Sequence, residues 1–175
     1  MKTKSTVQKF NYVLITLSIF IVFLTQITWA QKTVRHNVAV IVNTVSVISV
    51  TPGSVTLTIP SVSAVMTAGV DQMSVTDQST LLKWGTNATP MRVTIATNNG
   101  SPKYTLQIQA INISATPSGA SAVSPFTVST TAQTLVTGLG KSQGSCNVVY
   151  TLNALASQGT GNESHQITYT ITSGS

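Results

Sequence analysis

The chain has 175 residues, of which 42% are hydrophobic and only 7% charged, with a formal net charge of +6. Globular domains usually carry about a quarter charged residues. So low a charge implies a neutral, hydroxyl- and amide-rich surface, which suits an extracellular structural or adhesive domain better than a cytosolic enzyme. Beyond residue 30 the cations Lys32, Arg35, Lys83, Arg92, Lys103 and Lys141 are scattered singly. Nucleic-acid binders cluster such residues on one face, so nucleic acid is not expected as a partner.

Lys2, Lys4 and Lys9 precede an unbroken apolar run over 13–24, and the polar-to-small stretch Thr25-Gln26-Ile27-Thr28-Trp29-Ala30 follows it. A basic start, a short apolar centre and a small residue at the cut are the parts of a secretory signal peptide. Residues 1–30 are therefore expected to be cleaved after Ala30, which leaves Gln31 first. The run is too short for an anchor, which needs about 18 apolar residues, and no later run spans a membrane. Losing the three lysines lowers the formal charge from +6 to +3. The expected destination is secretion, the periplasm or the cell surface.

Residues 31–175 read as one β domain, with 31–36 as a flexible tail. Its length lies within the usual single-domain range, so stability needs no disulfide; Cys146 is the only cysteine and none can form within the chain. Residues 37–50 lean apolar, and their parity slips near Asn43-Thr44, which predicts two short strands or a bulge. Thr51-Pro52-Gly53-Ser54 is a turn. Val55, Leu57 and Ile59 alternate with Thr56 and Thr58, the period of a half-buried strand. Residues 61–79 read as loop with at most one short strand, and 80–84 as the next strand, with 85–90 as its exit loop.

Met91, Val93 and Ile95 set one face of a further strand. Asn98-Asn99-Gly100 then turns the chain toward Tyr104, Leu106, Ile108 and Ala110, and such an Asn-Gly pair between alternating segments predicts a hairpin. A Ser/Pro/Gly-rich loop over 114–125, short strands over 126–131 and 133–137, and a glycine-rich connection over 138–145 follow. Residues 146–156 and 165–172 alternate most clearly. Val-, Ile- and Thr-rich strands at this spacing are the signature of an antiparallel β-sandwich, and no window of helical length carries an apolar stripe. The predicted class is all-β, a single sandwich of Ig-like or pilin-like type.

Chemistry-bearing side chains are few. The acids are Asp71, Asp77 and Glu163, and the histidines are His36 and His165. Glu163 and His165 lie two apart and read as a solvated pair at a loop end. Asp71 and Asp77 fall short of the oxygen-ligand density of calcium loops, and Gly138-Leu139-Gly140-Lys141-Ser142 lacks the spacing of a phosphate loop. No Gly-x-Ser-x-Gly elbow is present. No catalytic residue, metal site or cofactor is therefore expected. Cys146 shares parity with Val148, Tyr150 and Leu152, which makes it a small buried hydrophobe. Tyr104, Tyr150 and Tyr169 fall on core parity, which leaves Trp84, beside the 85–90 loop, as the one ring able to serve as an exposed ligand contact. Thr168, Thr170 and Thr172 form an ordinary solvated strand face. Asn87, Asn99, Asn112 and Asn162 each begin Asn-x-Ser/Thr, a glycosylation acceptor where the host supplies the machinery.

With a leader, a Thr/Val-rich low-charge body and the final run Ile167-Thr168-Tyr169-Thr170-Ile171-Thr172, the chain resembles bacterial secreted pilin-like and spore-coat-like sandwich domains. Gly161 fits the glycine that chaperone-assembled pilins carry before their last strand. Tyr169 lies further from the end than their penultimate tyrosine, and their usual disulfide is missing. The resemblance implies a non-enzymatic cell-surface structural or adhesion component, with other envelope proteins or further copies of itself as partners. A secreted glycan-binding module is the alternative, and it depends on Trp84 being exposed.

Overall fold

The computed structural model describes residues 33–61 and 66–174. The expected leader and its cut after Ala30 lie outside them. The chain divides into a unit Met1–Ile41 and a unit Val42–Ser175. Residues 33–41 of the first form no strand, and the fold is that of the second.

Among the described residues nine strands follow in chain order: β1 (Ser46–Thr51), β2 (Gln72–Thr86), β3 (Met91–Thr97), β4 (Thr105–Thr116), β5 (Ser121–Ala122), β6 (Phe126–Thr127), β7 (Gln133–Leu139), β8 (Ser142–Leu155) and β9 (Ile167–Ser173). A single 3₁₀ turn, Ala156–Gln158, follows β8, and the described residues contain no α-helix. The strands build two antiparallel sheets, one of order β1-β2-β8-β4-β6 and one of order β5-β7-β3-β9. The protein is thus all-β, with a sandwich-like pair of sheets.

Period-2 alternation decides which side chains meet between the sheets. Leu82 and Trp84 of β2, Leu106, Ile108 and Ala110 of β4, and Cys146, Val148 and Tyr150 of β8 share one core with Val93 and Ile95 of β3 and Leu135, Val136 and Leu139 of β7. Register aligns them across strands: Leu82 opposes Cys146, Val148 opposes Ala110, and Tyr150 opposes Ile108. Burying one such Leu, Ile or Val contributes about 1.5–3 kcal/mol. The Tyr150 and Tyr169 hydroxyls hydrogen-bond each other, tying β8 of one sheet to β9 of the other.

Several expectations are corrected. The Asn98-Asn99-Gly100 turn makes no hairpin: β3 and β4 lie in different sheets, so the turn arches from one layer to the other. Residues 72–79, expected as mostly loop, form the first half of β2. A register shift between Asp77 and Thr80 breaks the parity that would have joined them to 80–84. The glycine-rich connection shrinks to Gly140 and Lys141, because β7 and β8 run on through Leu139 and from Ser142. Val55, Leu57 and Ile59 do alternate half-buried with exposed neighbours, yet they join no ladder. Side-chain pattern selects the buried face; it does not supply a neighbouring backbone. Residues 37–45, expected to carry strand, carry none before β1.

Candidate functional site

Two of the three acids, Asp71 and Glu163, converge with His165 and Lys103 where the loop between β8 and β9 meets the β3–β4 arch. Thr97 closes β3, Lys103 and Tyr104 precede β4, and Asp71 precedes β2. The loop itself supplies Gln158, Glu163 and His165.

His165 stands at the centre. Its Nδ1 lies 3.1 Å from Thr97 Oγ1 and its Nε2 lies 3.1 Å from Glu163 Oε1. A carboxylate only accepts, so Nε2 carries the proton and Nδ1 accepts from the Thr97 hydroxyl when the ring is neutral. The second carboxylate oxygen of Glu163 accepts the Lys103 backbone N–H at 2.9 Å. His165 and Glu163 side chains are only 10% and 17% exposed, which corrects the expected solvated pair: the two side chains are largely enclosed and bonded on both ends.

The surrounding contacts pin the same loop. Lys103 Nζ donates to the Thr160 carbonyl at 2.6 Å, and the Tyr104 hydroxyl donates to the Gly159 carbonyl at 2.9 Å. Gln158 Nε2 donates to the Lys103 carbonyl at 2.6 Å. Asp71 receives both the backbone N–H and the hydroxyl of Ser157 at 3.0 Å. Asn98 Oδ1 accepts the Gln166 N–H at 2.8 Å, and the Asn98 N–H returns a bond to the Gln166 carbonyl at 3.2 Å. Gly161 fits closely here, since a Cβ there would stand 2.7 Å from the Tyr104 hydroxyl oxygen.

Hydroxyl, imidazole and carboxylate stand in the order of a nucleophile, its base and the group that orients the base. Thr97, however, is 4% exposed, and its oxygen also accepts the Asn99 N–H at 3.3 Å. A hydroxyl enclosed in a turn has no open approach for a substrate carbonyl. What the arrangement does chemically is clamp a long polar loop onto the end of the sandwich.

The remaining candidates disperse. Trp84 is 4% exposed, so it offers no open ring. Its position opposite Gly144 explains this: a Cβ on Gly144 would overlap the indole and would stand 2.6 Å from the Ser114 carbonyl oxygen. Among the described residues the indole Nε1 meets no acceptor. Asp77 is taken up by the Ser79 N–H and hydroxyl at 3.0 and 2.7 Å, away from Asp71. Among the described residues no three His, Cys, Asp or Glu side chains gather closely enough to hold a metal ion. Cys146 is a free, buried thiol, and burial pushes its pKa up to about 11. Desolvation likewise raises both tyrosines of the Tyr150–Tyr169 pair.

Two residues acquire roles that the sequence does not suggest: Thr97, whose hydroxyl meets His165, and Asn87, which the sequence places in a loop as a glycan acceptor. Asn87 Oδ1 accepts the Val45 N–H at 2.7 Å, its Nδ2 donates to the Asn43 carbonyl at 2.8 Å, and its own N–H donates to the Val45 carbonyl at 3.1 Å. Partners some forty residues away leave no trace in local pattern. Among the described residues no helix is long and apolar enough to cross a membrane. Comparison with protein-family models, with curated proteins and with solved structures finds no match to this chain.

Proposed function

We propose that this chain is an exported, non-enzymatic β-sandwich protein that works by surface contact, as a structural or adhesive component of the cell surface. The observation that carries the reading is that the Glu163–His165–Thr97 cluster, the molecule's best acid–base arrangement, is spent on holding its own loop. The exposed side of β2, β8 and β4 meanwhile presents rows of amides and hydroxyls, with the exposed Lys83 further along β2. Gln72 bonds Asn153, Asn153 bonds Gln107, and Thr76 bonds Thr151. Such a face makes contacts that are weak singly and add up over area. The burial of Trp84 weighs against the glycan-binding alternative. The two-sheet body is compatible with the pilin-like or coat-like class that the leader and final strand suggest, and with other envelope proteins as neighbours.

The test is to follow surface retention and adhesion of the expressed protein together with Glu163→Gln and His165→Ala. Both variants should keep their surface role for as long as they stay folded. Loss of that role in a folded variant would promote a hydrolase instead.

A further inference from the structure

We propose that Asn99 is a self-modification site. Its side-chain amide cyclises onto the Gly100 nitrogen and is lost as ammonia. The aspartate and isoaspartate left behind decide, as the protein ages, whether the loop between β8 and β9 stays clamped. This chemistry is independent of the surface role proposed above.

Asparagine is among the thermolabile residues, and Asn99 is the one asparagine of the chain that a glycine follows. That neighbour matters, because a larger side chain would shield the attacking nitrogen and restrict the backbone rotation that brings it to the amide carbon. The fold adds three features. Asn99 Oδ1 accepts the Ser101 N–H at 3.1 Å, an Asx turn that folds the side chain forward along the main chain and sets its Cγ beside the Gly100 nitrogen. The same Ser101 N–H points at the oxygen on which negative charge develops when Cγ is attacked, and a donor so placed stabilises the tetrahedral intermediate. Gly100 itself is exposed, and among the described residues its N–H donates to no acceptor. Nothing has to break for that nitrogen to turn. On its other side Asn99 is held by its own N–H, which donates to Thr97 Oγ1 at 3.3 Å.

The reaction needs no partner but water. The Gly100 nitrogen bonds to Asn99 Cγ, the bond from Cγ to Nδ2 breaks, and the proton of the Gly100 N–H departs with Nδ2 as ammonia. A cyclic imide remains, and water opens it on either side. Breaking the new bond from Cγ to nitrogen gives aspartate on an unchanged main chain. Breaking the original peptide bond gives isoaspartate, whose main chain runs through Cβ and Cγ and so gains a methylene.

The products differ in what they do to the arch. In aspartate a carboxylate oxygen still accepts the Ser101 N–H. In isoaspartate the added methylene falls between two anchored points. On one side Thr97 holds His165 and Asn98 holds Gln166 through two bonds. On the other, the N–H, carbonyl and Nζ of Lys103 bond Glu163, Gln158 and Thr160. An arch pinned at both ends lengthens only by shifting one of them, so these bonds give way first.

The experiment holds the exported chain in neutral buffer for weeks, both folded and unfolded in guanidinium chloride. Mass spectrometry and chromatography then follow the peptide that contains Asn99. The expected result is ammonia release matched by aspartate and isoaspartate at position 99, no slower in the folded protein than in the unfolded chain. Gly100→Ala should slow conversion by about 10-fold or more, through lost approach of nitrogen to carbon. That variant should stay folded, since Gly100 takes no left-handed φ and an added Cβ would meet only Thr130 Cγ2, at 3.6 Å. Hydrogen exchange in the separated isoaspartate fraction should quicken over 98–104 and 156–166, while Asn99→Asp should match fresh protein. Conversion slower in the folded protein than in the unfolded chain, conversion that Gly100→Ala leaves unchanged, or an isoaspartate fraction with unaltered exchange would each overturn the proposal. So would a glycan found on Asn99 of the exported protein, because that amide would already be committed.

Discussion

Cys146 and the tyrosine pair Tyr150–Tyr169 tie the core to pH. Folding raises the Cys146 pKa from an ordinary 9.0 to about 11 through burial, and it raises both tyrosines above an ordinary 10.0 for the same first reason. A group whose ionisation the fold opposes contributes stability in full below its unfolded pKa and loses it as pH rises from there through the folded value. The melting temperature should therefore hold up to about pH 9 and fall between pH 9 and 11. In Cys146→Ala the fall should begin only as the tyrosines titrate, above pH 10; an onset unchanged by that substitution would remove the thiol from the account. In native protein near pH 8 a bulky thiol reagent should leave Cys146 unlabelled and should react once denaturant is added. At Trp84 and Gly144 the matter is shape. Gly144→Ala should cost about 1–3 kcal/mol by overpacking the indole, whereas Trp84→Phe should lose packing area but no hydrogen bond, since among the described residues Nε1 meets no acceptor. Urea titrations of the two variants separate these effects. A neutral Gly144→Ala would mean that the ring has room to move.

The element that bears most polar contacts is the loop between β8 and β9. Its bonds to Thr97, Asn98, Lys103, Tyr104 and Asp71 come from segments far away in sequence. His165→Ala breaks two side-chain hydrogen bonds and leaves the Glu163 carboxylate oxygen and the Thr97 hydroxyl short of a partner. An intramolecular hydrogen bond is worth about 0.5–1.5 kcal/mol net, so the variant should lose about 1–3 kcal/mol. Hydrogen exchange should quicken first in the loop at 156–166 and the arch at 98–104, ahead of the central strands β2, β8 and β4. Uniform quickening over all strands would instead make His165 part of the global core. The strands themselves were largely legible. β3 and β9 follow their alternation nearly to the residue, and the Thr80–Trp84 stretch lies inside β2. The long strands were read short wherever the pleat is interrupted. The register shift in β2 between Asp77 and Thr80 hid residues 72–79, and the shift in β4 between Ile111 and Ser114, where Asn112 takes φ 54°, hid its far end. A bulge inverts parity, so a period-2 pattern stops at it even though the strand continues.

For the whole molecule, the expected export predicts a product that begins at Gln31. N-terminal sequencing checks this directly, and a membrane-bound protein that retains Met1 would contradict it. The all-β class, the buried cysteine and the inward parity of Tyr150 and Tyr169 were determined by the sequence alone. Each rests on local chemistry: β-branched residues alternating with threonine can bury only one face, and turn residues punctuate them every ten or so positions. Which strands pair, and in which layer, was decided only by tertiary structure. The Asn98-Asn99-Gly100 turn serves a hairpin or an arch equally well, because a turn reverses the chain without choosing the sheet that receives it. The burial of Trp84 depends on Gly144, sixty residues away, whose lack of a side chain makes room for the indole. The enclosure of His165 and Glu163 depends on Thr97 and Lys103 arriving from another strand and the arch beyond it. Local alternation states which side chains avoid water; where they go to avoid it is settled by contacts between distant segments, and those are energies of packing that no single window of sequence contains.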